Sequence, residues 1–203
     1  MDGAKKINFN QVLLQKYIDV VVPSITNPGD DEQHGSTVIS DILVLQALSR
    51  RVHYGKFVAE SKYRADPDTY LRLVQNNDAD GVMERLTNMA VEAQVLRRAR
   101  LKAATYGREP VLVPDMGKDS TSKVAAAAAA AVMAAVEALE DEGSNNKVDP
   151  AVIENIYRNF IIPLTKDVEV AYLFRRCGRE PPPEYAPDRM SVDFQLSSAA
   201  RKS

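Results

Sequence analysis

Arg51 and Lys62 stand eleven residues apart. In a continuous helix that is about three turns, so both project from nearly one face, with Val58 between them. A guanidinium and an ammonium about 16 Å apart along a helix could grip two ends of a small polyanion. Asn88 and Glu92 form a second polar pair, four apart, and Thr165 and Glu169 a third. If the three segments are helices of one bundle, the pairs can converge on its interior, where bundles build small-molecule sites. Spacing alone leaves a plainer alternative open, because charged side chains on long helices are commonly solvated. His53 reads as a hydrogen-bonded structural histidine, with no cysteine or acidic partner at metal-ligand spacing. Arg97, Arg98 and Arg100 read as an exposed helix face. The chain has no glycine-rich phosphate loop, no Gly-x-Ser-x-Gly and no Cys/His nucleophile arrangement.

The elements that must carry these pairs are marked by proline and glycine. Residues 8–25 place Phe9, Val12, Leu13, Ile18 and Val21 at helical spacing and end in the turn-rich Asn27-Pro28-Gly29-Asp30-Asp31. Ser36 or Thr37 is expected to cap one long helix reaching about residue 64, roughly 40 Å of it. Asp66-Pro67 starts a short helix with proline at its favoured first position, and Asp78 starts another. Asn88 caps a helix that ends at Tyr106, with Gly107 as its left-handed stop. Asp149-Pro150 opens the last long helix, kinked at Pro163 and closed by Gly178 after Arg175-Arg176. Period-two alternation never persists, so the expected fold class is all-α, a helical bundle.

Composition bounds the rest. The chain has 203 residues, 26 Lys+Arg against 28 Asp+Glu, and a net charge of −2. That length suits one domain with a real core. The charge balance lacks the basic surplus of a general nucleic-acid binder. One cysteine, Cys177, leaves no internal disulfide, and two histidines leave no histidine-rich metal site, so no metal is expected. No apolar stretch follows the first residues as in a signal peptide. The longest uncharged apolar run, residues 124–136, is mostly alanine and short of the roughly 20 residues a membrane span needs. The chain therefore reads as cytosolic.

Four stretches carry a resemblance. Residues 45–62, LQALSRRVHYGKFVAESK, closely resemble the catalytic helix of eukaryotic chorismate mutases of the fungal and plant type. Residues 86–92, LTNMAVE, are a second match, and residues 161–176, IIPLTKDVEVAYLFRR, a third. Pro28-Gly29-Asp30-Asp31 followed by Gly35-Ser36-Thr37 is a fourth. The resemblance implies an all-helical, dimerising enzyme that converts chorismate to prephenate by a Claisen rearrangement, with no cofactor. It implies that Arg51 binds a substrate carboxylate. Lys62 and a protonated Glu169 would donate to the ether oxygen, and Thr165 would help hold a carboxylate. Asn88 and Glu92 would hold the substrate's polar periphery, with Val58 lining the site. Gly35 and Ser36 resemble the part of the family's allosteric amino-acid site carried on this segment.

The match departs from the family at its start. Family members begin with a further helical region that supplies an arginine for the second carboxylate, and no arginine precedes Arg50 here. The expected organisation is a mutase-like domain over residues 1–178, with an alanine-rich insertion at about 110–148 and an unstructured tail from 179 to 203. The expected partner is a second copy or a full-length mutase. A catalytically dead helical module that binds a protein partner is the alternative, and a plastid location follows if a leading segment is missing.

Overall fold

A computed structural model describes residues 7–30, 32–106 and 149–189. All regular structure among these residues is helical, as the sequence leads one to expect. The chain divides into two compact units: one comprises residues 1–88 and 159–203, the other residues 89–158. The alanine-rich insertion and Gly107 lie outside the described residues.

In the first unit the helices are α1 (Asn10–Lys16), α2 (Val22–Ile25), α3 (His34–His53), α4 (Gly55–Ala65), α5 (Pro67–Gln75) and α6 (Ala79–Leu86), in chain order. The second unit holds α7 (Met89–Tyr106) and α8 (Pro150–Ile156). The chain returns to the first unit as α9 (Ile162–Arg176). Nine consecutive or near-consecutive residues of α9, from Leu164 to Phe174, are buried, so this helix is enclosed on most sides. It packs on α3, α4, α5 and α6. Buried Ile7, Phe9, Val12 and Leu13 bring α1 into the same unit's core.

Local chemistry explains most boundaries. Asp66 accepts the Thr69 amide and Asp78 the Gly81 amide, each satisfying a donor that a helix start leaves open. Asp149 does the same for Ala151, with Pro150 at the first helical position. Gly178 adopts φ +79°, and the amides of Gly178 and Arg179 return to the carbonyls of Arg175 and Phe174. That pair of bonds is the glycine-closed end expected there.

Three features differ from the sequence reading. The long helix starts at His34 rather than behind a Ser36 or Thr37 cap, and the Ser36 hydroxyl turns back to donate to the Gln33 carbonyl. Its passage into α4 is irregular at Tyr54, which keeps helical dihedrals (φ −61°, ψ −21°) while the Phe57 amide bonds to its carbonyl, three residues back. Just past that turn, Gly55 presses against α9. A Cβ there would lie 3.0 Å from the Thr165 backbone oxygen and 3.2 Å from the Glu169 Cγ. Finally, the helical run that holds Pro163 is not all α-helix. A π-helical turn, Tyr157–Ile161, precedes α9. The wide turn absorbs the missing proline donor and the clash its ring would cause. The same solution recurs before Pro23, where Tyr17–Val21 is also π-helical.

The first residues of the stretch read as a tail are docked. The Arg179 guanidinium donates to the Gln75 carbonyl at 2.7 Å, one of the open acceptors at the end of α5. Arg189 pairs with Asp167 at 2.7 Å and lies over the Phe9 ring. Residues 190–203 lie outside the described residues. In the second unit, α7 and α8 pack together, and Arg100 meets Glu154 at 3.5 Å. Among the described residues no helix is long and apolar enough to cross a membrane.

His53 has the structural role its surroundings suggested. Its Nε2 accepts the Phe9 amide at 2.9 Å, and its Nδ1 meets the Ser49 carbonyl at 2.8 Å. The ring is therefore neutral with its proton on Nδ1. Burial holds its pKa below the usual 6.5, and the nearby Lys56 charge pushes the same way, against the Ser49 bond. A proton on Nε2 removes the acceptor for Phe9. Since the folded pKa is the lower one, stability is retained above 6.5 and lost as pH falls from there through the folded value. Melting temperature is expected to drop between about pH 7 and pH 5, and His53→Gln to drop less. Equal losses in both proteins would show that His53 is not the group responsible.

Candidate active site

The site is built where α4 and α9 cross. Thr165 and Glu169 are one turn apart on α9, on the face turned toward α4. Both are buried, Thr165 at 8% and Glu169 at 6% exposure. The Thr165 hydroxyl donates to the Ile161 carbonyl at 2.6 Å. It must leave that carbonyl before it can donate to anything else.

Lys62 enters from α4. Its Nζ lies 2.6 Å from the Leu86 carbonyl and 3.4 Å from Glu169 Oε2. Leu86 ends α6, so its carbonyl is an open acceptor at the negative end of a helix dipole. Two of the three ammonium hydrogens are thereby accounted for, which leaves one for a ligand oxygen.

The electrostatics of Glu169 are unusual for a carboxyl beside a lysine. Burial raises its pKa, and the charge and hydrogen bond of Lys62, with the charges of Lys166 and Arg51, only partly oppose that. The net direction is upward from 4.5. Glu169 thus holds its proton to higher pH than an ordinary glutamate and can act as a hydrogen-bond donor. Tyr70, buried on α5, is near enough for its own pKa to be raised in part by Glu169, after burial as the main cause.

The other residues read from the sequence fall into place unevenly. Arg51 is exposed in the last turn of α3, and its charge is felt at Glu169. Arg51 and Lys62 belong to α3 and α4, on either side of the irregular turn at Tyr54. Val58 is half-buried on α4, one turn before Lys62. Asn88 is exposed two residues beyond Leu86, at the end of the first unit. Glu92 sits in the first turn of α7, in the second unit. Gly35 and Ser36 are exposed in the first turn of α3, about 24 Å along that helix from Arg51. The structure therefore brings Lys62, Glu169 and Thr165 together, with the charge of Arg51 beside them.

Two contributors escaped the sequence reading. Gly55 allows the close approach of α4 to α9, and an isolated glycine inside a helical pattern was its available signal. The Leu86 carbonyl that anchors Lys62 left no signal, since a backbone acceptor depends only on where the helix stops.

Residues 36–170 match the family model described as chorismate mutase type II. The chain is 37% identical over 171 residues to the chorismate mutase of Schizosaccharomyces pombe, covering 84% of this chain and 57% of that protein. It is 37% identical over 174 residues to chorismate mutase 1, chloroplastic, of Petunia hybrida, covering 85% of this chain and 46% of that one. Among solved structures it resembles the chorismate mutase of Candida albicans in complex with L-Trp, with TM-score 0.65, 35% identity, and coverage of 87% and 57%. It also resembles AtCM1 with tyrosine bound in its allosteric site, with TM-score 0.67, 33% identity, and coverage of 87% and 58%. The chain spans about half the length of the curated relatives it matches.

Proposed function

The chain belongs to the type II chorismate mutase family, and from that premise we propose that it converts chorismate to prephenate, with α4 and α9 supplying the reacting groups. In this rearrangement the ether C–O bond of chorismate breaks while a new C–C bond forms, with electrons moving round one ring of six atoms. No proton is gained or lost, and no covalent intermediate forms. The protein's work is to hold the reactive conformer and to stabilise negative charge growing on the ether oxygen.

What supports the reading is the pairing of Lys62 with a buried Glu169 whose pKa is raised. An ammonium and a carboxylic acid, 3.4 Å apart, can both donate to one oxygen set between them. Their bonds strengthen as that oxygen gains charge, which lowers the barrier rather than merely tightening substrate binding. Arg51 would take a carboxylate through its two-pronged guanidinium. A bound dianion would add negative charge near Glu169 and raise its pKa further. Thr165 would help hold a carboxylate after its hydroxyl turns from Ile161, Val58 would line the site, and Asn88 would hold the polar periphery.

A homodimer forms part of the same proposal. It is supported by Val38, Ile39, Ile42 and Leu43, all exposed along α3, an apolar surface that water disfavours.

Purified residues 1–203 are expected to consume chorismate as prephenate appears. Arg51→Ala should cost about 2 kcal/mol or more in transition-state binding, at least roughly thirtyfold in kcat/KM. A folded helical protein with no turnover would overturn the proposal.

A further inference from the structure

One helical turn beyond Glu169, the same two helices carry a second buried polar cluster. Glu60 of α4 is 8% exposed. Its carboxylate accepts the Tyr172 hydroxyl at 2.8 Å, the Arg64 Nε at 2.8 Å and the Arg176 Nε at 3.1 Å. The Arg176 guanidinium also lies 4.5 Å over the Tyr63 ring. Burial alone would push Glu60 toward its neutral form, but the bonds from Arg64, Tyr172 and Arg176 outweigh it and hold the carboxyl below its usual range. The cluster is thus a charged lock in which buried Glu60 and Tyr172 are joined by two arginines that reach in from solvent.

The contacts between α4 and α9 run in order. Gly55 meets Thr165 and Glu169, and Glu60 meets Tyr172 and Arg176. Lys62, near the end of α4, reaches back to Glu169, as helical side chains lean toward their own N-terminus. At one end the helices are pressed together by a glycine; at the other they are held by ion pairs. Lys62 and Glu169 are suspended between these two fixed points. Their contact of 3.4 Å is a long one, so a slide of either helix by a fraction of an ångström would make or break it.

We propose that Glu60, Tyr172 and Arg176 are positioning residues that set the register of α4 against α9 and thereby the Lys62–Glu169 geometry. The proposal rests on the reading of that pair as the reacting site. Tyr172 is three residues from Glu169, about one turn along α9, and Glu60 is two residues from Lys62 within one turn of α4, so the lock acts on the backbone that carries both groups. Loosening it admits water to Glu169, which weakens the desolvation that keeps the carboxyl protonated. The groups facing Glu169 are Lys62 from α4, Arg51 from α3, Tyr70 from α5 and Lys166 on its own helix.

Tyr172→Phe deletes one hydroxyl and keeps the ring. Its effect is read in two ways on the full chain: as the Glu169 titration, by carbon-13 carboxyl shifts, and as kcat and KM for chorismate. The expected result is a Glu169 midpoint moved to lower pH and a kcat reduced about tenfold with KM within about twofold. Arg176→Lys keeps a charge near Tyr63 but surrenders the Nε bond, and should move the midpoint the same way. Tyr17→Phe is the control. It breaks a comparable tyrosine–carboxylate bond, 2.6 Å to Asp41, between α3 and the turn after α1. It should lower the melting temperature without moving the Glu169 midpoint. A midpoint in Tyr172→Phe and Arg176→Lys identical to wild type overturns the proposal. A wild-type chain that folds but turns over no chorismate overturns the mutase reading instead, and the titration then decides the positioning role alone.

Discussion

Replacing Glu169 by glutamine is expected to flatten the alkaline side of the pH–activity profile. Only the protonated carboxyl can donate to the ether oxygen, so wild-type turnover should fall as pH rises through the Glu169 pKa. That pKa is raised chiefly by burial, with Lys62 pulling against it. An amide keeps a donor at the same place but never titrates. At low pH the two proteins should therefore work at rates within about tenfold of each other, and at high pH the variant should overtake the wild type. Stability carries the same sign. A carboxyl whose folded pKa lies above its unfolded value favours folding at low pH, and that contribution is lost as pH rises from about 4.5 through the folded value. Glu169→Gln should abolish that loss too. An alkaline decline of the same shape and midpoint in both proteins would remove Glu169 from the reaction.

Lys62→Met should lower kcat by about 10²–10³-fold, the usual cost of deleting one preorganised donor to a developing oxyanion. Methionine keeps the stem length and loses the charge. Its structural cost should be small, because the Lys62 side chain is one-third exposed and ion pairs of that kind add little stability. The Leu86 carbonyl loses its ammonium partner but sits at a helix end, where water can replace it. A second consequence distinguishes this variant from a folding defect. Without the opposing ammonium, Glu169 should titrate at still higher pH. A folded Lys62→Met protein with kcat within tenfold of wild type would show that the ammonium does not touch the reacting oxygen.

The two substitutions test different halves of one arrangement. Glutamine at 169 changes when the donor is available, and methionine at 62 removes the donor and shifts its partner's titration. The alkaline limb should vanish in the first variant and move to higher pH in the second, because Glu169 is the titrating group behind both changes.

Much of this was open to reading along the chain. Asp66, Asp78 and Asp149 announce helix starts because a carboxylate reaches an amide two or three residues on, and nothing distant is needed. Gly178 announces a stop because its positive φ costs glycine nothing. Thr165 and Glu169 share a face because four residues make about one turn. The all-α class follows from the same short-range periodicities. What the tertiary structure decided lies beyond that reach. Gly55 presses against Thr165 and Glu169 on α9, neighbours that the local periodicity around it cannot name. Lys62 and Glu169 are 107 residues apart, and Glu60 and Tyr172 are 112 apart. Whether such groups meet depends on which helix is enclosed. The burial that turns Glu169 from a common surface carboxylate into a proton-holding acid belongs to no single residue; it is the work of α3, α4, α5 and α6 closing around α9.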